Sequence, residues 1–214
     1  MIVIGAKGFA KELLEDLVSS KYNYNETNLY FFDNVSDNIS EKLFDKFTIL
    51  KSFEEVEKIF NTGSNKFCIG IGFPKHRKKL TNLFENLGGE LTTIISNKAV
   101  VGTFNNKISK GVIIRSGVQI TNDITISKGA LINLNCTIGH DSIIGEFVEL
   151  SPNVNISGHC IIGDLTSIGS GSTILPNISI GANCIIGAGS VITKNIPDNS
   201  IVVGVPGKII KQNL

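Results

Sequence analysis

Residues 108–192 read ISKGVI IRSGVQ ITNDIT ISKGAL INLNCT IGHDSI IGEFVE LSPNVN ISGHCI IGDLTS IGSGST ILPNIS IGANCI IGAGSV I. Every sixth residue, from Ile108 through Leu150 to Ile192, is aliphatic, fifteen times without a slip. A helix would repeat near 3.6 residues and a half-buried strand near 2. A fixed period of six belongs to a β-helix, in which each hexad is one side of a coil. Two residues before each aliphatic there is usually a small or β-branched side chain, such as Val112, Ala130, Cys136, Ser142, Cys160 or Ser190. These suit a narrow interior. The residue after it is often Gly or a short polar residue, for instance Ser127, Asn133, Gly139, Gly145 or Gly163. Those are read as corners, where positive φ is expected. One hexad cannot bury its apolar side alone, but stacked hexads share a continuous core. Burial contributes roughly 1.5–3 kcal/mol for each such side chain. The period leaves the number of sides and the hand open.

Residues 1–95 have a different texture. Met1-Ile2-Val3-Ile4 reads as a buried strand, Gly5-Ala6-Lys7-Gly8-Phe9-Ala10 as a turn, and Lys11 to Val18 as a helix, so residues 1–20 form strand, turn and helix. Such a turn exposes backbone N–H groups to an anion. The full G-x-G-x-x-G fingerprint is absent, with Gly8 and Ala10 filling its later places. Both a phosphate cradle and a plain βα turn fit. Leu29 to Asn34 is a second strand, ending on Asp33 where a doubly wound sheet faces its ligand. Residues 35–50 read as loop, Phe53 to Phe60 as helix, Phe67 to Gly72 as a buried strand and Leu91 to Ile95 as the last strand. Pro74 opens a helix carrying Lys75, His76, Arg77, Lys78 and Lys79. This run is either a solvated face or a source of one phosphate-binding cation. Alternating β and α elements make 1–95 a Rossmann-like α/β domain, followed over 96–214 by an all-β repeat domain. The tail Ile201 to Lys208 is expected to cap the open end of the solenoid.

Composition narrows the function. A net charge of +1 gives no electrostatic case for nucleic acid. No apolar run approaches the ~18 residues of a membrane span, and no signal-peptide core follows Met1. A cytoplasmic enzyme or binding protein is the expectation. Cys68, Cys136, Cys160 and Cys184 show no zinc spacing. The last three recur at every fourth hexad, so in a three-sided coil they sit on different sides as reduced core thiols.

Three segments together carry a resemblance: GAKGFA at the start, the hexads with His140-Asp141, and GVPGK at 204–208. The chain resembles the bacterial sugar O-/N-acyltransferases of the sialic-acid O-acetyltransferase type, over nearly its whole length. That family includes N-acetyltransferases of nucleotide-linked 4-amino-4,6-dideoxy sugars, serving protein glycosylation and O-antigen pathways. The resemblance implies a left-handed parallel β-helix with three hexads per coil, hence five coils, and a homotrimer with active sites between subunits. It implies acetyl-CoA as cosubstrate, a nucleotide-activated amino sugar as acceptor, and no metal. It assigns Gly5, Gly8, Ala10, Asp33, Asn34 and Gly70 to the sugar nucleotide. It makes His140, Asp141 and Asn133 catalytic and places Gly158 by the acetyl-CoA thioester. Glu149 stands where the family often has a second His near the cofactor, and Gly207 where its tail commonly has Ala.

The chemistry fits these residue types. Histidine titrates near neutrality and serves as a general base. An adjacent carboxylate orients the ring and steadies its cation, and corner N–H groups polarise a thioester oxygen. Other readings remain beside this one. Asn133 suits a positive-φ turn as well as catalysis. His159 lies one coil above Asp141, with Asp123 one coil below, as in a surface ion-pair column. An O-acetyltransferase, a non-catalytic scaffold, or a β-helix zinc enzyme needing three His ligands are the competing functions. The chain has only three histidines, and His76 lies outside the repeats.

Overall fold

The repeats stack as the hexad period requires. The computed structural model describes residues 1–18 and 24–213; Ser19 and Ser20, at the end of the strand–turn–helix reading, and Leu214 lie outside them. Contacts divide the chain into two compact units, residues 1–72 with 76–97, and residues 73–75 with 98 onward.

In the repeat unit each two-residue strand pairs in parallel with the strand three hexads further on: Thr137 with Asn155, Ile143 with Ile161, Glu149 with Ser167. Three hexads therefore make one coil, and three flat sheets make a left-handed prism. Its ladder is longer than the hexad run. Within residues 98 onward it runs from Val100–Val101 to Ser200–Val203, beyond the five coils expected. The step from Val101 to Ile108 is one longer than a hexad and the last turn is irregular, so the period hides these ends.

All the period-six aliphatics except Ile108 are buried. The residues two places before them are fully enclosed, and the polar ones bond to corner carbonyls. Thr166 Oγ1 donates to Gly181 O (2.7 Å) and accepts from Cys184 N (3.0 Å). Ser142 Oγ likewise spans Ser157 O and Cys160 N (both 3.2 Å). Satisfied this way, a buried hydroxyl avoids the ~1–3 kcal/mol cost of an unpaired polar group. All four cysteines are reduced and buried, and burial pushes the Cys136 thiol up to about 11 and that of Cys68 to about 12.

The corners differ from expectation. Positive φ falls three residues after each aliphatic from Ile108 to Ile186, at Asp123, Asn135, Asp141, Phe147 and His159 among others. Gly139 and Gly163, directly after the aliphatics, are glycine for another reason. A Cβ on Gly139 would lie 2.6 Å from Gly158 N, and one on Gly163 2.5 Å from Ala182 N. The next coil passes too close for a side chain.

At the C-terminal end, Ser200–Val203 joins a sheet and Lys208–Gln212 returns antiparallel along it, so the tail covers one edge. A Cβ on Gly207 would meet Ile192 Cδ1 at 2.6 Å, the far end of a side chain that can turn aside.

The N-terminal unit is a doubly wound sheet. Its strands are β1 (Ile2–Ile4), β2 (Tyr30–Phe32), β3 (Lys42–Leu43), β4 (Phe47–Leu50), β5 (Lys66–Ile69) and β6 (Glu90–Leu91), in the order β3-β4-β2-β1-β5-β6. All neighbours are parallel except the β3–β4 pair. The helices are α1 (Gly8–Val18), α2 (Phe53–Asn61) and α3 (Pro74–Asn86). Ile2, Ile4, Phe32, Phe67 and Ile69 share one face with Val56 and Phe60 of α2 and Phe84 of α3. Val3 on the other face packs near Ala10 of α1. α2 opens with a reciprocal cap, Ser52 Oγ accepting from Glu55 N while Glu55 Oε2 accepts from Ser52 N.

The expected loop over 35–50 contains the β3–β4 hairpin. Its turn puts Phe44 and Asp45 at φ 51° and 57°, places where Asn-Gly is the usual signal. The last strand breaks into Glu90–Leu91 and Ile94–Ile95. No described helix is long and apolar enough to cross a membrane.

Candidate active site

Two places gather chemistry, one in each unit. In the N-terminal unit the carboxyl ends of β1, β2 and β5 lie side by side. Gly5 N donates to Phe32 O and Gly70 N to Ile4 O (both 2.8 Å). Beyond these ends lies a cavity of about 590 Å³, at the crevice where open α/β sheets take ligands.

Gly5, Gly8, Asp33, Asn34 and Gly70 line it. Gly8 has φ +31° and open space where a Cβ would be. Ala10 does not line the cavity. It is fully buried, and a Cβ on Gly70 would lie 2.9 Å from its own Cβ, so both are small to seat α1 on the sheet. Asp33 is partly spent on its own loop: Oδ1 accepts from Val35 N and Ser36 N (3.2 and 2.9 Å), and Oδ2 from Ser36 Oγ (2.8 Å).

Among the cavity residues to which sequence reading gave no definite role are His76 and Lys79, on α3, and Ser36. The signal for the first two was available. Pro74 starts α3 just after the glycine-ended β5, and positions three apart share a helix face. Only Arg77 of that basic run is buried.

In the repeat unit, one corner of the prism holds His140, Asp141 and His159. His140 Nδ1 and Asp141 Oδ2 are 2.7 Å apart, and His159 Nε2 stands 3.6 Å from the same oxygen. The imidazoles meet edge to face, with centroids 5.0 Å apart. His159 stacks on Asp141 through the three-hexad offset, tied by its own N–H to His140 O (2.8 Å). Asp123, a coil below, is engaged elsewhere, accepting from Asn105 Nδ2 (2.9 Å).

Gly158 touches this corner. A Cβ there would lie 2.7 Å from both Nε2 and Cε1 of His140, so the missing side chain makes room for the ring. Asn133 stands at a different corner, buried, with Oδ1 accepting from Leu134 N (2.8 Å). Its φ is not positive, so the turn explanation for an Asn fails. Glu149 lies on a third sheet, half-buried, with Oε2 accepting from Ser167 Oγ (3.4 Å).

A carboxylate on one ring nitrogen of an exposed histidine leaves the other nitrogen to take a proton from a nucleophile. Comparison with known proteins agrees with this chemistry. Residues 1–84 match the PglD N-terminal domain family, and residues 141–176 and 159–194 match the bacterial transferase hexapeptide family of six repeats. Among curated proteins none matches the chain.

Among solved structures, a mutant perosamine N-acetyltransferase from Caulobacter crescentus, in complex with CoA and GDP-perosamine, is 26% identical. It aligns over 99% of this chain and 96% of its own, with a TM-score of 0.87. The acetyltransferase domain of PglB from Neisseria gonorrhoeae is also 26% identical, over 98% of both chains, with a TM-score of 0.83. WeeI from Acinetobacter baumannii is 25% identical, over 98% of both chains, at 0.80. The chain thus joins a stretch that matches the PglD N-terminal domain to one that matches the hexapeptide transferases, in the fold these acetyltransferases share over their full length.

Proposed function

We propose that this protein transfers the acetyl group of acetyl-CoA to the amino group of a nucleotide-linked 4-amino-4,6-dideoxy sugar. The observation that carries the proposal is full-length likeness to an enzyme whose structure holds CoA and GDP-perosamine together. The N-terminal domain, residues 1–95, takes the nucleotide, and the β-helix domain, residues 96–214, takes acetyl-CoA. The working form is a homotrimer with the sites between subunits, and the cytoplasm, where both substrates are made, is its place of action.

Each site residue then has a task. With Nδ1–H donating to Asp141, His140 Nε2 holds a lone pair. It takes the proton from the sugar ammonium or from the amine as the nitrogen attacks the thioester carbon. The N–C bond forms, the C–S bond breaks, and the CoA sulfur leaves with the proton returned from His140. Asp141 orients the ring and stabilises its cation. The Gly158 N–H faces the thioester oxygen. Asn133 positions the acetyl-CoA arm or acceptor, and Glu149 contacts the cofactor or the acceptor ammonium.

In the cavity of the first domain, the turn from Gly5 to Gly8 accepts phosphate, with Lys79 supplying positive charge and His76 a ring N–H. Asp33 and Asn34 meet the base.

The test is a panel of UDP-, dTDP- and GDP-linked 4-amino sugars with acetyl-CoA, read by release of free CoA thiol and by mass of the sugar product. One member should turn over well above the hydrolysis background. No turnover on any amino sugar, with turnover on a sugar hydroxyl, would move the protein to O-acetylation.

A further inference from the structure

The corner that carries His140 holds one more group than the acetyl-transfer chemistry uses. His159 points its Nε2 at Asp141 Oδ2 from the coil above, and one donor atom from each of His140, Asp141 and His159 lies within 4.8 Å of the others. We propose that these three side chains form a binding site for a zinc-class divalent metal ion, and that occupancy blocks acetyl transfer.

The geometry argues for it in two ways. Metal–donor bonds of 2.0–2.2 Å in a tetrahedral site put neighbouring donors about 3.3–3.6 Å apart. The His159–Asp141 separation is already 3.6 Å, and the His140–Asp141 pair, at 2.7 Å, needs to open by less than about 1 Å. Opening is the natural consequence of exchanging the proton shared by His140 and Asp141 for a larger ion, the neutral ring then carrying its proton on Nε2. The roots of the three side chains are also fixed. Asp141 and His159 occupy the same left-handed corner position on successive coils, at φ 60° and 57°, and the coils are tied by the His159–His140 backbone bond.

The donor set selects the ion. Two imidazoles and one carboxylate suit zinc, copper or nickel, whereas magnesium prefers oxygen ligands and keeps its waters. All three side chains are about half exposed, which leaves coordination positions open to water. The ion is not a cofactor for the proposed reaction. With the ion on Nδ1 and the ring proton on Nε2, His140 has no lone pair left for the acceptor's proton, so the ion opposes catalysis. The site rests on geometry alone; its inhibitory effect rests on the proposed role of His140.

The experiment uses chelator-treated full-length protein. ZnCl2, with MgCl2 as control, is titrated calorimetrically into the wild type, His159→Gln and His76→Gln. Initial rates of acetyl transfer are read before free CoA thiol accumulates to bind the metal. Wild type and His76→Gln should bind one zinc per chain, and magnesium should give no heat. His159→Gln should keep its basal rate and unfolding temperature. Changing an outer-shell partner of a metal ligand already weakens binding about 10-fold, so losing a ligand should weaken it at least as much. Zinc should suppress the wild-type rate, reversibly with EDTA, and spare His159→Gln. No zinc heat, or equal affinity in His159→Gln, overturns the site. Zinc binding that His159→Gln abolishes, with the wild-type rate untouched, upholds the site and instead overturns His140 as the proton acceptor.

Discussion

The β-helix and the N-terminal sheet solve the same problem, placing polar groups at the ends of parallel strands, in opposite ways. In the β-helix the pairing partner is always three hexads further on, and each place in the hexad has one task. A functional side chain therefore shows against the repeat, as His140 does at a position that is Ser116, Asn122 and Gly158 in other hexads. In the N-terminal sheet the central strand draws its partners from unrelated points along the chain, Ile2 lying between Tyr30 and Phe67, and no position recurs. Its cavity is assembled from loops that touch only in the fold. A repeat makes chemistry visible by interrupting itself, whereas a wound sheet hides it in the meeting of distant loops.

The largest effect expected in either region is on His140. His140→Ala should cut kcat by about 10²–10⁴-fold, with little change in the unfolding midpoint because the side chain is exposed. A matching loss of stability would mean that the corner is structural and would erase the contrast between exception and rule.

Next comes the repeat itself. Ile156→Ala should destabilise the protein by about 2–5 kcal/mol in urea unfolding, since Ile156 stacks between Ile138 and Ile174 and leaves a void facing both. A loss near zero would show that the coils collapse around missing volume.

Gly139→Ala probes the close approach of coils. Its Cβ would press on the Gly158 backbone, and overpacking of this kind typically costs about 1–3 kcal/mol. Because Gly158 also abuts the His140 ring, kcat should fall alongside. Unchanged stability would return these glycines to a purely conformational role.

The smallest effect sharpens the N-terminal half. Gly8→Asp should raise KM for the sugar nucleotide several-fold and leave KM for acetyl-CoA alone. Part of this is strain at positive φ, but the carboxylate would enter the cavity where phosphate is proposed to sit. Equal effects on both substrates would assign the turn to structure.

What the sequence discloses follows the same division. The hexads disclose the coil core, the inward cysteines and the stacking of His159 over Asp141, because a single period governs all of them. They mislead at the corners, where a glycine between crowded backbones looks the same as a glycine in a left-handed turn; only the stacked coils separate Gly139 from Asp141. They also fail at the ends, where an overlong step after Val101 breaks the count. In the first domain Gly5, Gly8, Asp33 and Asn34 are legible, because strand ends and turn glycines have local signatures. Ala10 lies off the cavity, and a small residue that seats a helix reads the same as one that admits a ligand. The Phe44-Asp45 hairpin is missed for want of a turn signature. His76 and Lys79 are ambiguous until α3 is seen against the strand ends, because a basic run is the same string of letters whether it faces water or a phosphate.

The pH dependence of the His140→Ala enzyme tests the central claim most directly. If His140 removes a proton from an amine acceptor, the variant should regain rate as pH rises, because more of the sugar amine is already neutral and needs no base. The ratio of wild-type to variant kcat should therefore shrink steadily with pH. A sugar hydroxyl, with its far higher pKa, offers no such recovery. A constant ratio across the range would contradict N-acetylation with His140 as base, and a variant as fast as wild type at neutral pH would remove the base altogether.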